Sequence, residues 1–154
     1  MISRPTTDQI LLDCRRELLE TVLPAVSDPA VAVCVQMMEN VLRNTATRAA
    51  HEIAWMTEES EQMLAYARDV AAGGPGGDDL AAAIQAAEAA RSPSLHLDDV
   101  VAAYSAAGEA LSCAVEAAIA AGDEALTGRG VDLIKARTDR EQEIKGEWTM
   151  IGRG

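Results

Sequence analysis

The residues of this chain that come nearest to a catalytic motif are HEIAW, His51 to Trp55. A zinc-protease helix reads H-E-x-x-H, because two imidazoles four residues apart point at one metal from one helix face. Here Trp55 stands where the second histidine is required, and an indole ring donates a proton but offers zinc no lone pair. His96 is the only other histidine, and it falls in a loop beside Pro93. A carboxylate-bridged di-metal bundle needs Glu-x-x-His twice, yet Arg48 and Pro93 occupy the positions three before each histidine. No metal and no cofactor is expected from these residues. Histidine phosphotransfer domains also display a histidine on a long bundle helix, usually followed closely by lysine and glycine. In this chain Ala54 and Trp55 follow instead, and Glu52, Glu58 and Glu59 would repel a phosphoryl group. What remains is a helix surface. At about 100° per residue, His51 shares a face with Asn44, Arg48, Trp55 and Glu58. His51 then reads as a helix-surface histidine packed on Trp55 four residues on, while a tryptophan on a polar face hints at a partner surface, which makes His51, Trp55 and Glu58 candidate partner-binding residues.

Other chemistry fails on spacing. The glycines of GGPGGDD match neither a phosphate-binding loop nor a dinucleotide turn, and acids follow where phosphate would sit. Ser60, Ser105 and Ser112 lack G-x-S-x-G surroundings. Cys113 lies among small apolar residues with no histidine nearby in sequence, which suits a buried thiol rather than a nucleophile. Arg137 with Glu141, and Glu141 with Lys145, have the spacing of helix-surface ion pairs. Met37, Met38, Met56 and Met63 could line an apolar pocket between helices, since methionine adapts to irregular ligands, although it is more often core filler. Trp148, Met150 and Ile151 are apolar residues in an otherwise polar terminus that could fold back over the bundle, dock on a neighbouring subunit or partner, or stay disordered; the second reading makes Trp148 and Met150 further candidates for partner contact. No set of groups converges on catalysis.

The elements that carry these residues are helical. Alanine is about one residue in five, phenylalanine is absent and aromatics are 3%, a bias toward close-packed helices and away from strands. A first helix is predicted in PTTDQILLDCRRELLETVLP, capped by Thr6 or Thr7, with Leu11, Cys14, Leu18 and Val22 on one face, and ended or kinked by Pro24. Asp28-Pro29 starts a second. From there Val35, Leu42, Ala49, Met56, Met63 and Val70 form a seven-residue ladder, flanked by Ala46, Ile53 and Ala67. It predicts one long helix to about Ala72, or two in line with a restart at Thr57. The glycine-rich loop 73–77 breaks it. A short helix is expected over 79–90 and another over 98–121, with Val101, Tyr104, Leu111, Val115 and Ile119 as its face. After TGRG a last helix should run over 131–145, followed by a tail, 146–154, with at most a short strand at 147–151. The expectation is a single all-α domain, a helical bundle of four to six helices with one long central helix.

Charge narrows the function classes. The net charge of −12 and pI near 4.5 repel phosphate backbones and anionic lipid headgroups, so neither nucleic acid nor membrane is an expected partner. No stretch approaches the ~20 apolar residues of a spanning helix, and the start, MISRPTTDQ, has no apolar signal-peptide core. Cys14, Cys34 and Cys113 are scattered over helical apolar faces and read as reduced core thiols, which points to the cytoplasm.

Arg4-Pro5-Thr6, Leu11-Leu12, Arg16, Leu19 and Val22-Leu23-Pro24 carry a resemblance. Over about the first 24 residues the chain resembles a family of small, uncharacterised bacterial helical proteins encoded beside acyl-CoA dehydrogenases and aminoglycoside-phosphotransferase-like kinases. The resemblance implies a helical fold and a setting in acyl-CoA catabolism, and it brings no catalytic residue. The leading expectation is therefore a non-catalytic accessory or interaction protein. Its expected partner is itself, as a homodimer, or an acyl-CoA dehydrogenase or kinase. The rival is a binder of, or enzyme acting on, an apolar small molecule such as an acyl thioester.

Overall fold

The protein is an all-α helical bundle with one long helix, as a computed structural model describes it over residues 4–145. Trp148, Met150 and the 147–151 stretch lie outside the described residues. Helix α1 (Thr7–Glu17) is capped by Thr6, whose N–H donates to Gln9 Oε1 at 3.0 Å. It continues through a π-helical turn (Leu18–Val22) into the three-residue α2 (Leu23–Ala25). The wide turn sits where Pro24 requires it. Proline has no N–H to give Glu20, and its ring would strike that carbonyl, so the N–H of Leu23 reaches back five residues to Leu18 instead.

Helix α3 (Pro29–Ala72) is one element of 44 residues. Asp28 caps it, accepting from Ala30 N–H at 2.8 Å, with Pro29 in the first turn. No restart occurs at Thr57. Its hydroxyl donates to the Ile53 carbonyl at 2.7 Å, so the side chain joins the ladder rather than breaking it. Helices α4 (Gly77–Ala90), α5 (Leu97–Ala120) and α6 (Glu124–Lys145) follow. Gly76 starts α4 with φ of +96°, and a Cβ there would lie 2.6 Å from Leu80 Cδ2, so glycine is required on both counts. Helix α6 begins seven residues earlier than the glycines of TGRG suggest. Asp123 caps it, accepting from Leu126 N–H at 2.9 Å, and the helix runs on through Gly128 and Gly130. The second glycine explains itself by contact: a Cβ on Gly130 would meet Tyr66 Oη and Val115 Cγ2 at 2.7 Å each.

Two compact units are distinguishable, one over residues 53–140 and one over residues 4–52 with 141–145. The first holds the core. Met63, Leu64, Tyr66, Ala67 and Val70 of α3 pack with Leu80 and Ala87 of α4 and with Ala107, Ala110, Leu111 and Ala114 of α5. The buried face of α5 is Val100, Ala107, Leu111, Ala114 and Ala118, while Val101 and Ile119 of the expected face are exposed. The alanines win because small side chains let helix axes approach closely, which leaves the bulkier neighbours outside. Arg68–Glu88, Arg91–Glu61 and Arg129–Asp69 pairs fringe this core. The other unit buries far less. Of its described residues only Val35 and Ala46 are buried, although Arg15 of α1 pairs with Glu39 of α3.

The seven-residue ladder of α3 therefore behaves differently along its length. Met63 and Val70 are fully buried, Val35 nearly so, Leu42 and Met56 half-buried, and Ala49 exposed. The cysteines are not core thiols: Cys14 and Cys34 are exposed and only Cys113 is half-buried. Among the described residues no helix is long and apolar enough to cross a membrane.

Candidate functional site

The helix face proposed from HEIAW divides once the side chains are placed. His51 and Glu58 are exposed, but Trp55 is half-buried, with the Arg140 guanidinium 5.3 Å from the centre of its ring. His51 lies close enough to Asp8 to favour its carboxylate form. Asp8 is held below the usual carboxylate range first by the Thr6 side chain, with backbone N–H groups and His51 adding to it. Arg48 pairs with Glu52 along the same helix.

One residue beyond Glu58, the chain buries a charge. Glu59 is 9% exposed, and its partners among the described residues come from α5 and α6. Tyr104 Oη donates to Glu59 Oε2 at 2.6 Å, and Arg140 Nη1 donates to Oε1 at 2.9 Å. Arg137 Nε donates to Tyr104 Oη at 3.0 Å and lies 3.8 Å from Glu59 Oε2, with its guanidinium 5.0 Å from the tyrosine ring centre. The Tyr104 hydroxyl is pushed above its ordinary pKa, first by burial and then by its bond to Glu59, so it stays a proton donor. Glu59, Tyr104, Arg137, Arg140 and Trp55 thus form one ionic and aromatic cluster. The adjoining cavity, lined by Glu59, Gln62, Met63, Leu133, Ala136, Arg137 and Arg140, holds about 20 Å³. That is room for one water and for no substrate. Each oxygen of the Glu59 carboxylate already accepts one hydrogen bond, from a hydroxyl or a guanidinium. The cluster is a clamp.

Sequence reasoning placed Arg137 with Glu141 and passed over Glu59. The signal for Glu59 was its position, three residues after Met56 and four before Met63 on the apolar ladder. A carboxylate on that stripe has to find cations when neighbouring helices close over it. The companion pair does form, Lys145 Nζ standing 3.7 Å from Glu141.

The larger concavity is a groove of about 580 Å³ along α4 and α5, lined by Gly76, Asp79, Leu80, Glu109, Cys113, Glu116 and neighbouring alanines. Its carboxylates oppose phosphate-bearing ligands. Burial pushes the Cys113 thiol up, and Glu109, Glu116 and Asp79 push it further, so it is a poor nucleophile. The four methionines differ in burial. Met63 is in the core and Met56 half-buried, whereas Met37 and Met38 are each 56% exposed. Among the described residues no three His, Cys, Asp or Glu side chains gather in a way that could hold a metal ion.

What the N-terminal unit presents instead is apolar surface. Ile10, Leu12, Val22, Val31, Val33, Met37, Met38 and Val41 are all at least 40% exposed. Five of them, Val31, Val33, Met37, Met38 and Val41, are on α3. Four of these five lie within Pro29 to Met38, a stretch that contains no charged residue. They give this acidic protein an exposed apolar strip on α3. Compared with protein-family models, with curated proteins and with solved structures, the chain matches none.

Proposed function

We propose that this protein is a non-catalytic accessory module that works through protein contacts, in the setting of acyl-CoA catabolism implied by its first residues. The observation that carries the reading is the apolar strip of α3 between Val31 and Val41, where Val41 is 63% exposed. An isolated exposed valine means little, but a strip of this kind costs solubility unless something covers it. Two occupants fit the reading: a second copy, and an acyl-CoA dehydrogenase or kinase. The chemistry of the interior agrees with it, since both oxygens of the buried Glu59 carboxylate are already paired and the large groove is acidic.

Biolayer interferometry with immobilised chain and purified acyl-CoA dehydrogenase, kinase or the chain itself tests this. Wild type should bind at least one of them, and Met37→Glu with Val41→Glu should abolish that binding. No complex with any of the three, or complexes indifferent to both substitutions, would overturn the reading. A thermal-shift series with acyl-CoA thioesters addresses the small-molecule alternative. A ligand at about 100 times its Kd would stabilise the chain by about 2.7 kcal/mol, and we expect no shift.

A further inference from the structure

We infer that the exposed face of α3 is a two-fold self-association surface, on which a second copy of this chain lays the same helix antiparallel. The inference rests on the reading above and names the occupant of its strip. At 3.6 residues per turn, Ala30, Cys34, Met37 and Val41 fall within about 60° of one another, a single line along the helix. All four are exposed. This line is distinct from that of buried Val35 and Ala46 and half-buried Leu42, so covering it disturbs nothing already packed.

Three features point to a second copy rather than another partner. The first is charge. A chain of net charge −12 repels itself everywhere except across a neutral face, and Pro29 to Met38 is ten residues without a charge. The second is spacing. The intervals between Ala30, Cys34, Met37 and Val41 are 4, 3 and 4, which read the same from either end. An antiparallel two-fold pairing centred between Val35 and Gln36 therefore sets Ala30 against the partner subunit's Val41 and Cys34 against the partner subunit's Met37. Small then faces large at each level, as a self-complementary interface requires. The third is where the line stops. Its next positions are Thr45 and Arg48, the latter committed to Glu52, so the apolar contact has a defined end and a defined register. A contact of this length lies at the small end of specific interfaces, so a reversible dimer is expected rather than an obligate one.

Sedimentation equilibrium of the full chain from about 1 to about 200 µM tests the proposal. The expected result is a monomer–dimer equilibrium, weakened at least about tenfold by Met37→Glu and by Val41→Glu. Ile119→Glu, at a site 59% exposed on α5, should leave it unchanged. Because all three positions face solvent, far-UV circular dichroism should show unaltered helix content. If either α3 variant loses helix, Met37→Ser and Val41→Ser replace them with the same expectation of weaker association. The register has its own readout. With facing helix axes about 8–10 Å apart, the two Cys34 Cα atoms would be roughly 6–7 Å apart. A short bis-maleimide should then couple Cys34 to the partner subunit's Cys34 in a Cys14→Ser, Cys113→Ser chain, and Met37→Glu should prevent it. A monomer at the highest concentration, or a dimer indifferent to the α3 variants, would overturn the proposal. A chain that stays monomeric yet binds the dehydrogenase or kinase through Met37 and Val41 would overturn the self-association while leaving the interaction reading intact.

Discussion

Glu59 shows how one side chain can be read wrongly by class and rightly by position. Its carboxylate sits on an apolar ladder, and burial is tolerable only because Tyr104, Arg137 and Arg140 converge on it. Glu59→Ala should lower the unfolding free energy by about 2 kcal/mol in urea denaturation, since it leaves a hydroxyl and two guanidinium groups without their acceptor. The two arginine side chains stay roughly one-third exposed, and water will partly compensate them. A loss below a few tenths of a kcal/mol would mean the clamp is decorative. Titration offers a second check. Tyr104 and Tyr66 have pKa values raised chiefly by burial, so each binds its proton more tightly folded than unfolded. The stability they contribute is complete below the unfolded tyrosine value and is lost as pH rises through the folded one. Stability should therefore fall above about pH 10, and Tyr104→Phe should flatten that fall when chemical denaturation is followed against pH.

Within elements, the glycines of α6 make a paired test. Gly128 and Gly130 both lie inside the helix, where glycine costs about 1 kcal/mol relative to alanine. A Cβ at Gly128 meets nothing within 4 Å, so Gly128→Ala should stabilise by up to about 1 kcal/mol. A Cβ at Gly130 runs into Val115 and the Tyr66 hydroxyl, which itself donates to the Leu126 carbonyl at 2.9 Å. Gly130→Ala should destabilise by about 1–3 kcal/mol, as overpacking does. Thermal denaturation of the two variants should move in opposite directions; movement in the same direction would show that helix propensity outweighs the contact. The same logic applies to α5. Ala114 is fully buried between helices, and Ala114→Leu should cost at least as much as Gly130→Ala.

At the scale of the molecule, packing is uneven. The largest fully buried side chains, Tyr66, Met63, Leu80, Leu111 and Val70, all belong to residues 53–140. Each contributes about 1.5–3 kcal/mol of burial, whereas residues 4–52 bury only Val35 and Ala46. Native-state hydrogen exchange should therefore show the slowest amides on the 63–70 stretch of α3 and on α5. Amides of α1, and of α3 before residue 52, should open at several kcal/mol less. Uniform protection along all 44 residues of α3 would contradict this. The peptide 53–140, which holds the whole core, should remain helical and melt cooperatively by calorimetry.

Local rules made much of this legible. The alanine bias, the Asp28-Pro29 start, the glycine break after Ala72 and the seven-residue ladder are properties of neighbouring residues, and they foretold an all-α chain with one long helix. The π-helical turn at Leu18 to Val22 follows from Pro24 in the same way. The sites were less legible, because burial is decided by what lies opposite. Trp55 was expected on an open face until Arg140, 85 residues later in the chain, came to lie over it. The face of α5 turned by one residue because alanine, not the larger Val101 or Ile119, allows close approach. Glu59 acquired partners 45, 78 and 81 residues away. Sequence by itself determined where helices begin, end and carry apolar lines. Only the tertiary structure decided which of those lines is covered: the Met63–Val70 segment is packed under α4 and α5, while Ala30, Cys34, Met37 and Val41 lie bare. Periodicity specifies an apolar line on a helix, but covering it takes a second surface, and no pattern within one helix contains that surface.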